Sequence, residues 1–325
     1  MKKRIFSGIQ PTGSIHIGNY LGAIKNWVKL QNDYDCVWCI VDLHALTNPD
    51  ANNNLQAKIF DLATTYLAAG LDPKKAIIFV QSHIPEHTEL TWLLNTVTPI
   101  AELERMTQFK DKSKQFKNSI NMGLFGYPVL MASDILIYKT DCVPVGEDQK
   151  QHVELARMVA RKFNGKYGKT LIEPECLIYK NSARIMSLVN PNDKMAKSIP
   201  NSFLAMNDSP STIKDKIKRA VTDSGKGIEY SPKKPAIANL MSIYSAFSNL
   251  SFSEIEKKFK NKGYRHFKND LAELIIKELK PFQKKKKALD KKPDYVKKVL
   301  EDGAKKARKI AQKNLLEIKK KMNLI

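Results

Sequence analysis

The spacing of apolar and polar positions predicts alternating strands and helices over the first two thirds of the chain. Short apolar runs predict strands at residues 4–9, 36–41, 76–81, 141–145 and 177–179. Between these runs, the 3.6-residue apolar spacing of helices covers residues 15–30, 55–69 and 150–162. This alternation is typical of a doubly wound α/β fold around a parallel sheet. We therefore predict a doubly wound, Rossmann-like domain.

The rest of the pattern is helical. We predict an α/β domain over residues 1–200, with a helical insertion at about 84–138, and an all-α domain over 201–325. A polar segment at 109–121 is expected to break the insertion, and its last helix is expected to begin with Pro128 in the first turn. The helices of the second domain are predicted at 211–220, 236–247, 253–260, 267–279 and after Pro293. The last of these has an apolar stripe that should pack inward, formed by Val296, Val299, Leu300, Ala304, Ala307, Ala311, Leu315, Ile318 and Met322.

Charge adds a second constraint. The formal net charge is +22, and residues 281–325 carry 16 Lys or Arg against 5 Asp or Glu. Such a bias favours attraction to a polyanion, although solvated helix faces in a lysine-rich chain explain the same excess.

No run of eighteen apolar residues occurs, so we expect no membrane span, no signal peptide and a cytoplasmic location. The four cysteines indicate reduced thiols, and Cys36 and Cys39 should face opposite sides of one buried strand.

Candidate chemistry lies at the carboxyl ends of the predicted strands, where open parallel sheets bind ligands. His44 follows the second strand, and Gly146, Glu147, Asp148 and Gln149 follow the fourth. A single histidine is often structural, and acidic residues before a helix also act as caps. For these residues, a ligand-binding role and a structural role therefore both stay open.

Asp134 shares one helical face with Tyr127, Met131 and Tyr138. A carboxylate among apolar and aromatic neighbours needs a donor, which a backbone group, a water molecule or a ligand can supply. An indole has one N–H donor and a large apolar surface, so it fits such a pocket.

Two motifs narrow the function. Gly8 and Gly13 have P-loop spacing, but Ser14 stands where that motif requires lysine. His16-Ile-Gly-Asn19 instead resembles the HIGH signature of class I aminoacyl-tRNA synthetases, in the form common in the tryptophanyl type. Lys194-Met-Ala-Lys197-Ser198 resembles the KMSKS signature of the same class, with Ala196 in place of the usual serine. The resemblance covers residues 4 to about 250 and points to bacterial tryptophanyl-tRNA synthetases. It implies that residues 1–200 form a catalytic, nucleotide-binding domain of the HUP type.

The resemblance implies an ATP-dependent ligase that forms tryptophanyl-adenylate and pyrophosphate, then transfers tryptophan to tRNA(Trp). It implies magnesium carried by ATP without a protein metal site, anticodon recognition by the helical region, a homodimer, and no DNA or membrane partner. The implied catalytic residues are Lys194, Lys197, Lys112 and Asn19. The implied ATP contacts are Gln10, Pro11, Thr12, Gly18, Asn19, Gly146, Glu147, Asp148, Ile185, Lys194, Met195, Ala196, Lys197 and Ser198. The implied tryptophan contacts are Asp134 at the indole N–H, Tyr127 and Gln149 at the amino group, and Phe6, Gly8, His44, Met131, Val143 and Val145 in the pocket.

Three other functions fit part of the pattern. A tyrosyl-tRNA synthetase shares the fold but needs extra polar partners for a phenol hydroxyl, which donates and accepts. A small-molecule nucleotidylyltransferase shares the HIGH-like turn without needing a basic helical region. A non-enzymatic nucleic-acid-binding protein explains the charge. It gives no role to the segment Lys194 to Ser198, called here the lysine loop, or to the segment Gly146 to Gln149.

Overall fold

The chain divides into two units. The computed structural model describes residues 2–48, 53–115, 120–146, 149–178, 185–195, 199–225 and 227–325, with the backbone alone at 111, 112, 114 and 115. The first unit comprises Met1–Thr12, Val28–Lys180 and Lys292–Ile325, and the second comprises Gly13–Trp27 and Asn181–Lys291. Both units are therefore built from segments that are distant in sequence.

A parallel sheet of five strands forms the centre of the first unit. Its strands are β1 (Arg4–Ile9), β2 (Asp35–Ile40), β3 (Ala76–Val80), β4 (Cys142–Pro144) and β5 (Glu175–Leu177), in the order β3-β2-β1-β4-β5. The predicted doubly wound fold is thus confirmed. In β2, all residues after the first are buried, because strands of such sheets are covered on both faces. The strand order reverses between β1 and β4, and the carboxyl ends at such a reversal form the usual ligand crevice.

The α-helices are numbered in chain order. They are α1 (Ile17–Asn19), α2 (Lys25–Leu30), α3 (Asp42–Ala45), α4 (Leu55–Ala69), α5 (Glu86–Asn95), α6 (Ile100–Glu104), α7 (Thr107–Gln115), α8 (Met122–Leu136), α9 (Lys150–Tyr167), α10 (Pro210–Arg219), α11 (Pro235–Ser248), α12 (Phe252–Lys258), α13 (Tyr264–Asp290) and α14 (Pro293–Lys321). A π-helix at Tyr20–Ile24 separates α1 from α2, so the single helix predicted at 15–30 is interrupted. No helix among the described residues combines the length and the apolar character needed to cross a membrane.

The structure differs from two details predicted for the helical insertion. The polar segment predicted to interrupt it at 109–121 is helical as far as Gln115, in α7, whereas residues 120 and 121 are non-helical and precede α8. Helix α8 begins at Met122 and not at Pro128, because the Asn121 side chain accepts a hydrogen bond of 3.0 Å from the Leu124 N–H and caps the helix. Pro128 lies inside α8, where it removes one backbone hydrogen bond.

The last helix belongs to the first unit, although the sequence assigned it to a helical domain beginning at residue 201. Helix α14 packs along β3, the edge strand of the sheet, and against α5. Its predicted apolar stripe is buried there, with Ala304 and Met322 only partly so. A helix over an edge strand covers backbone groups that would otherwise pair with another chain.

Gly303 sits where α14 crosses β3. A Cβ atom at this position would lie 1.8 Å from the Ile78 carbonyl oxygen and 2.7 Å from its carbonyl carbon. We expect Gly303→Ala to lower the free energy of unfolding by about 1–3 kcal/mol, because backbone atoms must shift. This loss outweighs the gain of up to ~1 kcal/mol that alanine brings to a helix interior. Urea unfolding measures the difference.

Gly165 in α9 is the matched control, since a Cβ there meets no atom within 4 Å. Gly165→Ala should leave stability unchanged or raise it by up to ~1 kcal/mol. Equal stability of the two variants would show that α14 does not rest on the backbone of β3.

The second unit is mainly helical. Helix α13 packs against α10 and α11, and α12 packs against α11. Its core consists of aliphatic and aromatic side chains from these helices, among them Ile213, Leu240, Phe259 and Leu271. The N-terminus of α12 is fixed by a capping box, in which Ser251 and Glu254 bond to each other's backbone N–H.

Candidate active site

Asp134 lies at the centre of a buried polar network in the first unit. It belongs to α8 and is 1% exposed. His44 Nε2 lies 2.8 Å from its Oδ2, and His87 Nδ1 lies 2.5 Å from its Oδ1. Gln81 Nε2 lies 2.8 Å from Oδ1 and 2.9 Å from Oδ2. His44 is in α3 just after β2, Gln81 directly follows β3, and His87 is in α5, so Asp134 joins the ends of two neighbouring strands to the insertion.

Asp134 is ionised at neutral pH. Burial, the largest influence, would raise its pKa, but hydrogen bonds from His44 and His87 and the electrostatic influence of both rings outweigh it. The net result is a pKa below the ordinary value of 3.8. An ionised carboxylate only accepts, so both rings donate N–H groups to it. A carboxylate offers about four acceptor positions. The three side chains make four contacts with its oxygens, so a further donor binds in place of one of them.

His87 forms hydrogen bonds through both its ring and its backbone carbonyl. Its Nε2 lies 2.7 Å from the Tyr138 hydroxyl, and its carbonyl oxygen accepts from Ser133 Oγ and Thr91 Oγ1, both at 2.7 Å. Burial, followed by the negative charges of nearby groups including Asp134, raises the pKa of Tyr138 well above its ordinary value. Tyr138 therefore stays protonated. His87 links its hydroxyl to Asp134 through the two ring nitrogens.

Apolar side chains predicted to surround an indole belong to one cluster in this unit. Phe6 and Val143 are buried in it, and Met131 and Val145 are partly buried against it. The Phe6 ring stacks on Tyr138 with centroids 5.6 Å apart. At the nearby Gly8, a Cβ would lie 2.7 Å from Val41 Cγ1 and 2.9 Å from the Cys39 carbonyl oxygen, so glycine fits this close approach.

The two side chains predicted at the amino group lie in the same unit. Tyr127 is 7% exposed, its hydroxyl lies 3.0 Å from His152 Nε2, and its ring meets His44 edge-on at 6.3 Å. Burial raises the pKa of Tyr127 to about 12. Gln149 occupies the N-cap position of α9, and its N–H donates to the Gly146 carbonyl at 3.0 Å. Tyr127 thus adjoins the Asp134 network through His44.

Sequence reasoning missed three members of this region, namely Gln81, His87 and His152. Gln81 is the last residue of the third predicted strand, and His44 was selected because it follows the carboxyl end of the second. The same criterion would therefore have selected Gln81. His87 and His152 lie on helices that are distant in sequence from Asp134 and Tyr127, and no local pattern links them.

Several predicted ATP contacts follow β1 or β4. Gln10, Pro11 and Thr12 come directly after β1, and the Thr12 N–H donates to the Gln10 carbonyl at 2.9 Å. Gly146 follows β4, which is the neighbour of β1 across the reversal of strand order. Glu147 and Asp148 lie outside the described residues, as does the side chain of Lys112.

The HIGH-like segment forms a helix start in the second unit. His16 Nδ1 accepts from the Asn19 N–H at 3.2 Å, and the Asn19 Oδ1 accepts from the His16 N–H at 3.4 Å. The Ile17 N–H donates to the Leu204 carbonyl at 2.9 Å. The N–H groups of Ile17 and Asn19 thus have hydrogen-bond partners within the unit. A Cβ at Gly18 would lie 2.9 Å from His16 Nδ1, which gives Gly18 a packing role.

The base of the lysine loop is also ordered by the second unit. Lys194 and Met186 form an antiparallel bridge. Asn239 brackets Met186, accepting from its N–H at 2.8 Å and donating to its carbonyl at 3.0 Å. Ile185 and Met195 are each 7% exposed, whereas Lys194 is exposed. Ala196, Lys197 and Ser198 lie outside the described residues.

The described residues include no group of three or more His, Cys, Asp or Glu side chains that could hold a metal ion. Cys36 and Cys39 are buried, and burial followed by the charge of Asp35 raises the pKa of Cys36 to about 12. Both thiols are therefore protonated and poorly reactive.

Comparison with known proteins gives a consistent result. Residues 1–280 match the family model described as tRNA synthetases class I (W and Y). The tryptophan–tRNA ligase of Caldanaerobacter subterraneus subsp. tengcongensis is 52% identical over 99% of both chains. That of Wolinella succinogenes is 50% identical over 100% of both.

Solved structures are similar over the same length. The tryptophanyl-tRNA synthetase of Mycoplasma pneumoniae has a TM-score of 0.91 and 34% identity, over 99% of this chain and 98% of its own. The Campylobacter jejuni enzyme, complexed with ADP and tryptophan, has a TM-score of 0.84 and 36% identity, over 98% of this chain and 99% of its own. Tyrosyl-tRNA synthetase from Aeropyrum pernix, with a TM-score of 0.70 and 20% identity over 93% and 90%, shares the fold.

Proposed function

The chain belongs to the class I tRNA synthetases for tryptophan and tyrosine and acts as a bacterial-type tryptophan–tRNA ligase, and we propose that the Asp134 network recognises the tryptophan indole. In this reaction, the tryptophan carboxylate attacks the α-phosphate of ATP, pyrophosphate departs, and the adenylate then passes tryptophan to tRNA. No protein nucleophile takes part, so the protein contributes by positioning reactants and neutralising charge.

The ionised state of Asp134 supports its role as acceptor for the indole N–H. The carboxylate is anionic and adjoins an apolar cluster, which matches a ligand with one donor and a large apolar surface. Since Asp134 is 1% exposed, the indole reaches it only after a covering side chain moves. We assign this movement to His44, whose side chain is the link between Asp134 and Tyr127.

The same chemistry disfavours tyrosine. A phenol hydroxyl that donates to Asp134 still needs a donor for its own oxygen. In the exchange of pyrophosphate into ATP, we expect strong dependence on tryptophan and at most weak dependence on tyrosine. Exchange with tyrosine but not with tryptophan would refute the assignment, and no exchange with either would favour a non-enzymatic protein.

The ATP assignments rest on the resemblance and stay proposals. We propose that the nucleotide is contacted by Gln10, Pro11, Thr12, Gly18, Asn19, Gly146 and Ile185. Lys194 and Lys197 are proposed to neutralise the departing pyrophosphate. Magnesium is proposed as part of the ATP substrate, held by the phosphate oxygens.

A cleft in the second unit is our candidate for contact with RNA. It has a volume of 680 Å³ and is lined by Lys257, Lys260 and Lys262, among others. Beside it, Tyr230 is 45% exposed and stacks on Phe252, with ring centroids 3.7 Å apart. Lysines beside an exposed aromatic ring suit an unpaired nucleotide, because the ring stacks with the base and the lysines neutralise phosphate.

We expect the double variant Lys260→Ser, Lys262→Ser to raise the KM for tRNA about tenfold, since phosphate contacts dominate RNA affinity. Pyrophosphate exchange should stay unchanged because it does not involve tRNA. The same substitution at Lys169, an exposed lysine of the first unit, is the control. An unchanged KM for tRNA in the double variant would exclude the cleft as an RNA contact.

Two further features are proposed from the resemblance alone. We propose a homodimer, which sedimentation equilibrium tests directly; a single species at the 36.9 kDa mass of one chain would contradict it. We also propose that the enzyme acts in the cytoplasm, where tRNA is charged, and cell fractionation is the corresponding test.

A further inference from the structure

Helix α14 contacts three of the four segments that supply the network around Asp134, namely β3, α5 and α8. On β3, Gly303 lies against the backbone of Ile78, three residues before Gln81. At the end of α8, Asn314 Nδ2 donates to the Ile137 carbonyl at 2.7 Å, one residue before Tyr138. The last helix of the chain is thus in direct contact with the supports of the candidate tryptophan site.

The third contact is an ion pair with α5. Arg308 Nε lies 3.1 Å from Glu86 Oε1, and Glu86 is the residue before His87. The Glu86 side chain is 8% exposed, and its Oε2 is buried without a hydrogen-bond partner among the described residues. Arg308 is therefore the cation that compensates a largely buried carboxylate.

Glu86 acts on the network by two routes. It lies in the first turn of α5, where its position is tied to that of His87 through the backbone. Its negative charge also reaches Tyr138, where it is one of the influences that keep the hydroxyl protonated, after burial and the charge of Asp134. A change at Glu86 thus affects both partners of the His87–Tyr138 hydrogen bond.

We propose that Arg308 is a positioning residue for tryptophan, which acts through Glu86 to hold His87 and Tyr138 in the arrangement that presents Asp134. The inference rests on the proposed role of Asp134 in tryptophan recognition. It assigns to the C-terminal helix a part in amino-acid affinity, in addition to its structural role over β3.

The physical reason is the cost of an unpaired buried charge. Without Arg308, the Glu86 carboxylate must take up a proton or turn towards water, because a buried carboxylate without a counter-ion is unstable. Protonation removes a negative charge that acts on the Tyr138 hydroxyl, whereas rotation shifts the first turn of α5. Either response disturbs His87, while those residues proposed for ATP that the structure describes have no such link to Glu86.

The test compares two ion pairs that join the same helices. Arg308→Met removes the charge and keeps much of the apolar stem. Lys319→Met is the matched control, because Lys319 Nζ pairs with Glu89 at 2.8 Å but the Glu89 side chain is 47% exposed. In pyrophosphate exchange, Arg308→Met should raise the KM for tryptophan at least ~5-fold, in the range of couplings between contacting residues. The KM for ATP should stay unchanged, and Lys319→Met should change neither constant.

Rescue separates positioning from general loss of structure. Adding Glu86→Gln to Arg308→Met removes the unpaired charge, so the KM for tryptophan should return most of the way to that of the parent enzyme. If Arg308→Met does not fold, Arg308→Lys keeps the charge and should show a smaller rise in the same constant.

Several outcomes would overturn the inference. These are an unchanged KM for tryptophan in Arg308→Met (or in Arg308→Lys, if that variant must be used), equal rises for tryptophan and ATP, and no rescue by Glu86→Gln. Asp134→Asn in the same assay keeps the two proposals distinct. If Asp134→Asn raises the tryptophan KM and Arg308→Met does not, only the role of Arg308 fails. If Asp134→Asn has no effect, the proposed recognition of tryptophan fails.

Discussion

Asp134→Asn is expected to lower kcat/KM for tryptophan in pyrophosphate exchange by about 100-fold or more. The variant removes a charge-assisted acceptor, and such hydrogen bonds contribute up to ~3 kcal/mol each. It also turns an NH₂ group towards donors, because the new side-chain amide would face the N–H groups of His44, Gln81 and His87. The KM for ATP should change little, since the nucleotide contacts proposed for the first unit lie after β1 and β4.

The test depends on comparing the loss of activity with respect to tryptophan with the loss with respect to ATP. Equal losses for tryptophan and ATP would indicate that Asp134 only maintains the fold. Asp302→Asn is a suitable control, because Asp302 is half-exposed and makes only a long ion pair, of 3.8 Å, with Lys305. Thermal unfolding of both variants shows whether buried donors left without an acceptor have weakened the first unit as a whole.

The structure also shows which features can be predicted from a local pattern. The bounds of β1 and α4 agree with the prediction, because the signals that end them are local. Gly70, for example, adopts a left-handed φ of 108° at the end of α4 and closes the helix there. The start of α8 was misplaced because a proline that is tolerated inside the helix has the same sequence signature as one in the first turn, and the true cap, Asn121, lies in a polar segment.

The placement of α14 depends on contacts that no local pattern contains. The apolar stripe predicted that one face is buried, but it did not indicate the partner of that face. Gly303, a glycine in the middle of a long helical pattern, was the available sign of a close backbone approach. The same limit applies to the site, where Asp134 and His44 were predicted from position and chemistry, whereas His87 was recognised only once α5 and α8 were seen to pack together.

The lysine loop is the second place where a large effect is expected. Its base is held in place by Asn239, which is 6% exposed and bonds to both the N–H and the carbonyl of Met186. Met186 in turn forms an antiparallel bridge with Lys194. This arrangement fixes the backbone from which Lys194 extends while leaving its side chain exposed to solvent. A cation presented from a fixed base is suited to charge that develops during a reaction, because little reorganisation is needed at that moment.

We therefore expect Lys194→Ala to lower kcat for tryptophan-dependent pyrophosphate exchange about 100-fold, as is typical when one group that stabilises transition-state charge is removed. The KM for tryptophan should be unchanged, because the proposed role of Lys194 is to neutralise the departing pyrophosphate. Lys194→Arg keeps the charge and should recover part of kcat, whereas Lys214→Ala, which breaks an exposed ion pair with Glu273, should have no effect. A raised KM for ATP with unchanged kcat would instead mean that Lys194 binds ATP equally well in the ground and transition states.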